Sequence, residues 1–175
     1  MATQRCIEET EEGAVLSAAS LGRALPEGAT LLLDTSALIA YFDKRERTSA
    51  VATAVVDGFI RSGRNRAIVS VVTITELLVR PLRLTDNALA DSLVDFITQF
   101  PNLKLGDIDL AVAREAAVLR ARSGLRPADA LILATGVVRQ CGHIVSNDRA
   151  WVAALSSPGS SAAAVLLDNH VPFPA

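Results

Sequence analysis

At 175 residues, half of them apolar but only 4% aromatic, the chain has the length of one ordinary domain, and its core must be built from Ala, Val, Leu and Ile. Its longest apolar runs, such as Ala67–Val72 and Ala130–Ala134, fall far short of the roughly 20 residues a membrane-spanning helix needs. A net charge of −2 excludes a uniformly basic polyanion binder, yet the charge is uneven: Glu8, Glu9, Glu11, Glu12 and Glu27 against Arg5 and Arg23 put −3 in residues 1–28 and leave +1 for the rest.

The acidic start lacks the positive region and unbroken apolar stretch of a secretory signal, so a cytoplasmic location is expected. Two cysteines, Cys6 and Cys141, suggest neither a disulfide framework nor a zinc site, and Cys141 reads as a small buried apolar residue. Residues 1–28 read as an N-terminal extension with a short helix over about Glu8–Arg23, ending in Leu25-Pro26-Glu27-Gly28; residues 29–175 read as the domain proper.

From Ala29 onward, apolar runs alternate with helical patterns. Thr30–Leu33 predicts a strand and Thr35–Tyr41 a helix. Val51, Val55 and Phe59 repeat at helical spacing within Thr48–Arg61, and the β-branched run Ala67–Val72 predicts a buried strand. Thr73–Val79 turns helical and is expected to stop at Arg80-Pro81. Asp86–Phe100 predicts an amphipathic helix with Leu89, Leu93, Phe96, Ile97 and Phe100 inward. A small strand at Leu103–Leu105 precedes a helix over Asp107–Ser123 with Gly124 at its C-terminal cap, and Pro127 opens another through about Gln140. His143–Ser146 predicts a strand, Arg149–Leu155 a short helix, Ser156–Ser161 a loop and Ala164–Asp168 a last strand. Short buried strands separated by helices indicate an α/β fold with a mostly parallel sheet covered on both faces, where ligands bind beyond the carboxyl ends of the strands.

Four acids fall on that edge. Asp34 ends the first strand, Glu76 follows the second, Asp129 lies in the first turn of the helix opened by Pro127, and Asp148 follows the fourth strand. Singly, each has a plain structural role: Asp34 and Asp148 as helix caps, Glu76 in a capping box with Thr73, Asp129 against a helix dipole. Together they describe a pocket in which four negative charges repel and call for a cation. All-oxygen ligation suits Mg2+ or Mn2+, and the histidines, His143 and His170, are not patterned for zinc. Nucleophile triads lack a base and no glycine-rich phosphate loop is present, which leaves metal-assisted phosphodiester hydrolysis.

The segments Leu-Leu-Asp34-Thr-Ser-Ala-Leu-Ile, Thr73-Ile-Thr-Glu76-Leu, Pro127-Ala-Asp129-Ala-Leu-Ile-Leu-Ala-Thr and Val145-Ser-Asn-Asp148 resemble, in order and spacing, the four signature blocks of PIN-domain nucleases, most nearly the VapC-type toxins. The resemblance covers about Leu31 to Asp168. It implies a three-layer α/β/α sandwich, an Mg2+- or Mn2+-dependent endoribonuclease acting on single-stranded RNA, a homodimer, and a small antitoxin that inhibits it by occupying the active-site groove. Asp34, Glu76, Asp129 and Asp148 then become the metal-binding and catalytic acids, with Ser36, Ser146 and Asn147 supporting them. Many relatives carry a further acid and then Phe where this chain has Ala150 and Trp151, which puts a second metal in doubt. Arg45, Arg47, Arg80 and Arg126 are candidates for holding RNA phosphates, although each could equally belong to a solvated surface. Two other readings stay open: a housekeeping RNA-processing PIN nuclease without an antitoxin, and a catalytically weak PIN-like module that binds RNA or protein. A phosphoacceptor receiver would need a lysine facing the acids from a strand end, and neither Lys44 nor Lys104 is so placed.

Overall fold

The computed structural model describes residues 18–156 and 162–172. Cys6, most of the expected Glu8–Arg23 helix and nearly all of the Ser156–Ser161 loop lie outside these residues. Residues 18–24 form helix α1. Then follow β1 (Thr30–Leu33), α2 (Thr35–Phe42), α3 (Ser49–Thr53, which continues as a π-helical stretch over Ala54–Arg61), β2 (Arg66–Ser70) and α4 (Val71–Arg83). The second half comprises α5 (Asn87–Gln99), β3 (Leu103–Gly106), α6 (Leu110–Ser123), α7 (Pro127–Val138), β4 (His143–Ser146), α8 (Arg149–Leu155), β5 (Ala163–Leu166) and a 3-10 turn over Leu167–His170.

Several expectations differ from the structure: α6 begins at Leu110 rather than Asp107, and the last strand ends at Leu166, with Leu167 and Asp168 in a 3-10 turn. Val71 and Val72, expected to finish a strand, open α4 because the Ser70 hydroxyl accepts the Val72 N–H and caps the helix there. Pro81 does not stop α4; the helix runs two residues past it. Proline removes one donor, and burying Pro81 in an apolar groove with Leu77, Leu84 and Leu93 offsets that loss. Leu89, expected inward, is 47% exposed on the lip of this groove, whereas Ala90, Ile97 and Phe100 carry the buried face of the helix. Elsewhere the local rules hold: Pro127 sits at the start of α7, and Gly124 ends α6 in the left-handed region at φ 69°.

The five strands are all parallel, in the order β3-β2-β1-β4-β5. Alternation along β1 separates two apolar layers. Leu31 and Leu33 face a cluster with Leu38, Val51, Val55, Ile60 and Ile97, while Leu32 faces one with Val112, Ala116, Leu133 and Trp151. The chain is therefore a three-layer α/β/α sandwich. Leu21 of α1 and Leu25 just beyond it are fully buried in the first layer, and the buried Asn65 amide donates to the carbonyls of Pro26 and Ala29, tying this segment to the entrance of β2. The order of strand addition reverses between β1 and β4, so the crevice between the carboxyl ends of β1 and β4 is the natural ligand site of such a sheet.

Helix α7 lies unusually close to the strands. A Cβ on Gly136 would come within 2.8 Å of Leu32, and one on Gly106 within 2.4 Å of Thr135 Cγ2 and 3.0 Å of Ile68. Thr135 is β-branched, fully buried and held by a hydrogen bond to the Leu131 carbonyl, so it has little room to move aside. Gly106→Ala is expected to cost about 2 kcal/mol through overpacking. A melting temperature lowered by roughly 4–8 °C would show it; an unchanged value would mean that α7 can lift off the sheet freely.

Candidate active site

Asp34 is 5% exposed at the end of β1, and its backbone N–H still donates to the Val145 carbonyl, so the carboxylate begins where the β1–β4 ladder ends. Three donors meet it: the Thr35 N–H at 2.6 Å on Oδ1, and the Ser36 and Ser146 hydroxyls at 2.8 and 2.7 Å on Oδ2. Each serine oxygen in turn accepts a backbone N–H from the loop after β4, Ser36 from Asn147 and Ser146 from Asp148, both at 2.9 Å. Two hydroxyls thus fasten the loop carrying Asp148 to the carboxylate of Asp34. Burial pushes the Asp34 carboxyl above its ordinary value, against the opposing pull of these hydrogen bonds.

Glu76 stands in the second turn of α4, since the helix starts at Val71. It therefore forms no capping box with Thr73. Its Oε2 accepts instead from the Thr35 hydroxyl, which links it to the residue next to Asp34. Asp129 lies in the first turn of α7, and burial raises its carboxyl, followed by the negative charges of Glu76 and Asp148, with Arg126 pulling the other way. Asp148 caps α8 through its bond from the Ala150 N–H. Asp34 and Glu76 are thus bridged by Thr35, Asp34 and Asp148 by the two serines, and Asp129 feels both Glu76 and Asp148. Among the described residues no three His, Cys, Asp or Glu side chains are already drawn together in an arrangement that could hold a metal ion. The donor set itself is all oxygen and partly desolvated, which fits a hard divalent cation, and like charges lacking a counter-charge have no reason to close on one point.

Asn147 braces the loop from the other side. Its amide donates to Thr48 at 3.0 Å and its oxygen accepts from the Asp168 N–H at 3.3 Å. Arg45 is paired with Asp43 at 2.7 Å and holds that carboxyl below its ordinary range, and Arg47 lies 3.3 Å from Asp168. Arg126, at the mouth of α7, offsets the Asp129 charge, and Arg80 lines the groove beside Glu76. That groove, about 450 Å³, is walled by Ile39, Phe42, Leu77, Pro81, Leu84 and Leu93, and of the four acids Glu76 lines it. Sequence reasoning missed Thr35 and Thr48, whose partners lie 41 and 99 residues away; only the adjacency of Thr35 to Asp34 could have drawn notice. Away from the acids, burial lowers His143 and His170 and pushes the Cys141 thiol up to about 12.

No curated protein sequence matches the chain. Among solved structures, VapBC2 from Rickettsia felis bound to a DNA fragment from its promoter is similar at TM-score 0.58 and 14% identity, with 78% of this chain and 98% of that one covered. The sarcin–ricin-loop-cleaving toxin VapC20 of Mycobacterium tuberculosis is similar at 0.57 and 15% identity, covering 71% and 94%. VapBC-5, a toxin–antitoxin system of the same organism, reaches 26% identity at TM-score 0.50, covering 79% and 98%. These likenesses agree on the fold. The PIN domain model matches residues 31–154, most of the chain and every strand but β5, so the chain belongs to the PIN-domain family.

Proposed function

We propose that the chain is an Mg2+- or Mn2+-dependent endoribonuclease and the toxin of a toxin–antitoxin pair, with Asp34, Glu76, Asp129 and Asp148 as its metal-holding acids. The observation that carries this reading is the position of Asp129: burial raises its carboxyl above the ordinary value, and the negative charges of Glu76 and Asp148, arriving from separate elements, raise it further. Such repulsion is relieved by a bound cation. When bound, the cation would position and help deprotonate a water and offset charge on the leaving oxygen. The protein's own work is to hold the carboxylates. Ser36 and Ser146 fix the Asp34 carboxylate, Thr35 steadies Glu76, and Asn147 stiffens the loop of Asp148.

RNA would reach the crevice past Arg126 and Arg80, while Arg45 and Arg47 are already engaged by acids of the chain itself. The solved neighbours include toxin–antitoxin complexes, and the apolar groove continuous with Glu76 suits an amphipathic segment of a small antitoxin. A homodimer and a cytoplasmic location remain parts of the same proposal. No helix among the described residues is long and apolar enough to cross a membrane.

Asp34→Asn is expected to fold, because it removes a buried charge, and to lose more than about 100-fold in cutting total RNA with Mg2+ or Mn2+. Cleavage by the unaltered chain that survives excess chelator would overturn the reading. A second outcome concerns stability without metal. Folded Asp129 keeps its proton to higher pH than the ordinary 3.8, so above that value the native chain binds more protons than the unfolded one and stability falls as pH rises. In chelator at pH 7, Asp129→Asn should therefore melt higher than the unaltered chain, and its stability should decline less steeply from pH 4 upward. A lower melting temperature would mean that the acids do not strain the apo fold.

A further inference from the structure

Resting on the reading of Glu76 and Asp129 as cation ligands, we infer that the buried hydroxyl pair Ser70–Thr135 is a positioning device that sets the separation of those two acids. Both residues are fully buried, and their hydroxyl oxygens lie 3.1 Å apart. Ser70 ends β2 and caps α4; Thr135 lies on the buried face of α7. The pair is a polar contact inside the apolar seam where α4, α7 and β2 pack on one another. Its geometry is set from several sides. The Ser70 oxygen also accepts the Val72 N–H, the Thr135 oxygen also lies 2.8 Å from the Leu131 carbonyl, so that its one hydrogen is shared between that carbonyl and Ser70, and the Thr135 methyl rests where Gly106 leaves no Cβ.

The consequence lies in the spacing. Glu76 stands six residues along α4 from Ser70, and Asp129 six residues back along α7 from Thr135. Six helical residues span about 9 Å, so the two helices are arms of similar length that leave one junction and end on acids that feel each other's charge. A tilt of roughly 6° at the junction would displace an arm's end by about 1 Å. Ligand distances around a cation must hold to about 0.2 Å. The hydroxyl pair resists that tilt because a buried hydroxyl that loses its partner finds no water to replace it. Van der Waals packing alone would hold the helices together, but it lacks the directional stop that a hydrogen bond supplies.

The test is Mn2+ titration by calorimetry on the full chain, in the absence of RNA. Thr135→Val keeps the shape and removes the hydroxyl; it should weaken Mn2+ binding by about tenfold, while Thr135→Ser should restore it to within about twofold. Leu119→Ala, which opens the far side of α7, serves as a control: lowered in melting temperature, it should bind Mn2+ as the unaltered chain does. Unchanged affinity in Thr135→Val, or an equal loss in Leu119→Ala, overturns the inference and leaves the nuclease reading standing. Should Thr135→Val fail to fold, Ser70→Ala is read in its place with the same two outcomes. An unaltered chain that binds no Mn2+ overturns the nuclease reading, and this inference with it.

Discussion

The structure turns on a carboxylate placed where water barely reaches it. Asp34 closes the central strand, between the two apolar layers, and an ionised group there is tolerable only with its lone pairs answered. The answer comes from Thr35, Ser36 and Ser146, and the serines are answered in turn by the backbone of residues 147 and 148. Hydrogen bonds to a charged acceptor are stronger than neutral ones. The demand for satisfaction at one atom pair therefore propagates outward and fixes a loop that joins β4 to α8.

Sheet order makes this possible. With β1 central, the ends of β1 and β4 adjoin, and helices α2, α4, α7 and α8 begin near the same edge. Helix N-termini carry partial positive charge, so an edge where several converge is a favourable place for carboxylates until they crowd one another. Asp34 and Asp148 do double duty, capping helices while lining the crevice, and Ser70 caps the helix that bears Glu76. The plain structural roles and the functional roles of these residues are compatible. A cap fixes a side chain at a helix start, and a site needs side chains fixed at helix starts.

The apolar trough beside Glu76 follows from the continuation of α4 past its proline. Had α4 ended before Pro81, the trough would lack the part of its wall that Pro81 and Leu84 supply. The continuation of the helix, and the turning outward of Leu89, leave apolar surface uncovered beside the acids. Contiguous apolar surface left exposed in this way is the kind of surface on which partner segments dock.

The sequence by itself determined the class of fold, because period-2 and period-3.6 patterns are local and report which faces are buried. Thr30–Leu33 and His143–Ser146 were legible as strands to the residue, as were the proline start of α7 and the glycine end of α6, since each rests on the backbone preferences of one or two residues. It also marked the four acids, whose positions after strands or at helix starts are matters of chain order. Tertiary structure alone decided the distant contacts of the site. The Ser146 bond to Asp34 spans 112 residues, Thr35 to Glu76 spans 41, and Ser70 to Thr135 spans 65. A hydroxyl reads the same in sequence whether it faces solvent or a buried carboxylate, and only the packing of distant elements chooses between these. The same holds for Pro81, whose local cost was plain but whose compensation lay in the groove formed with Leu93 of the next helix and Ile39 of a distant one.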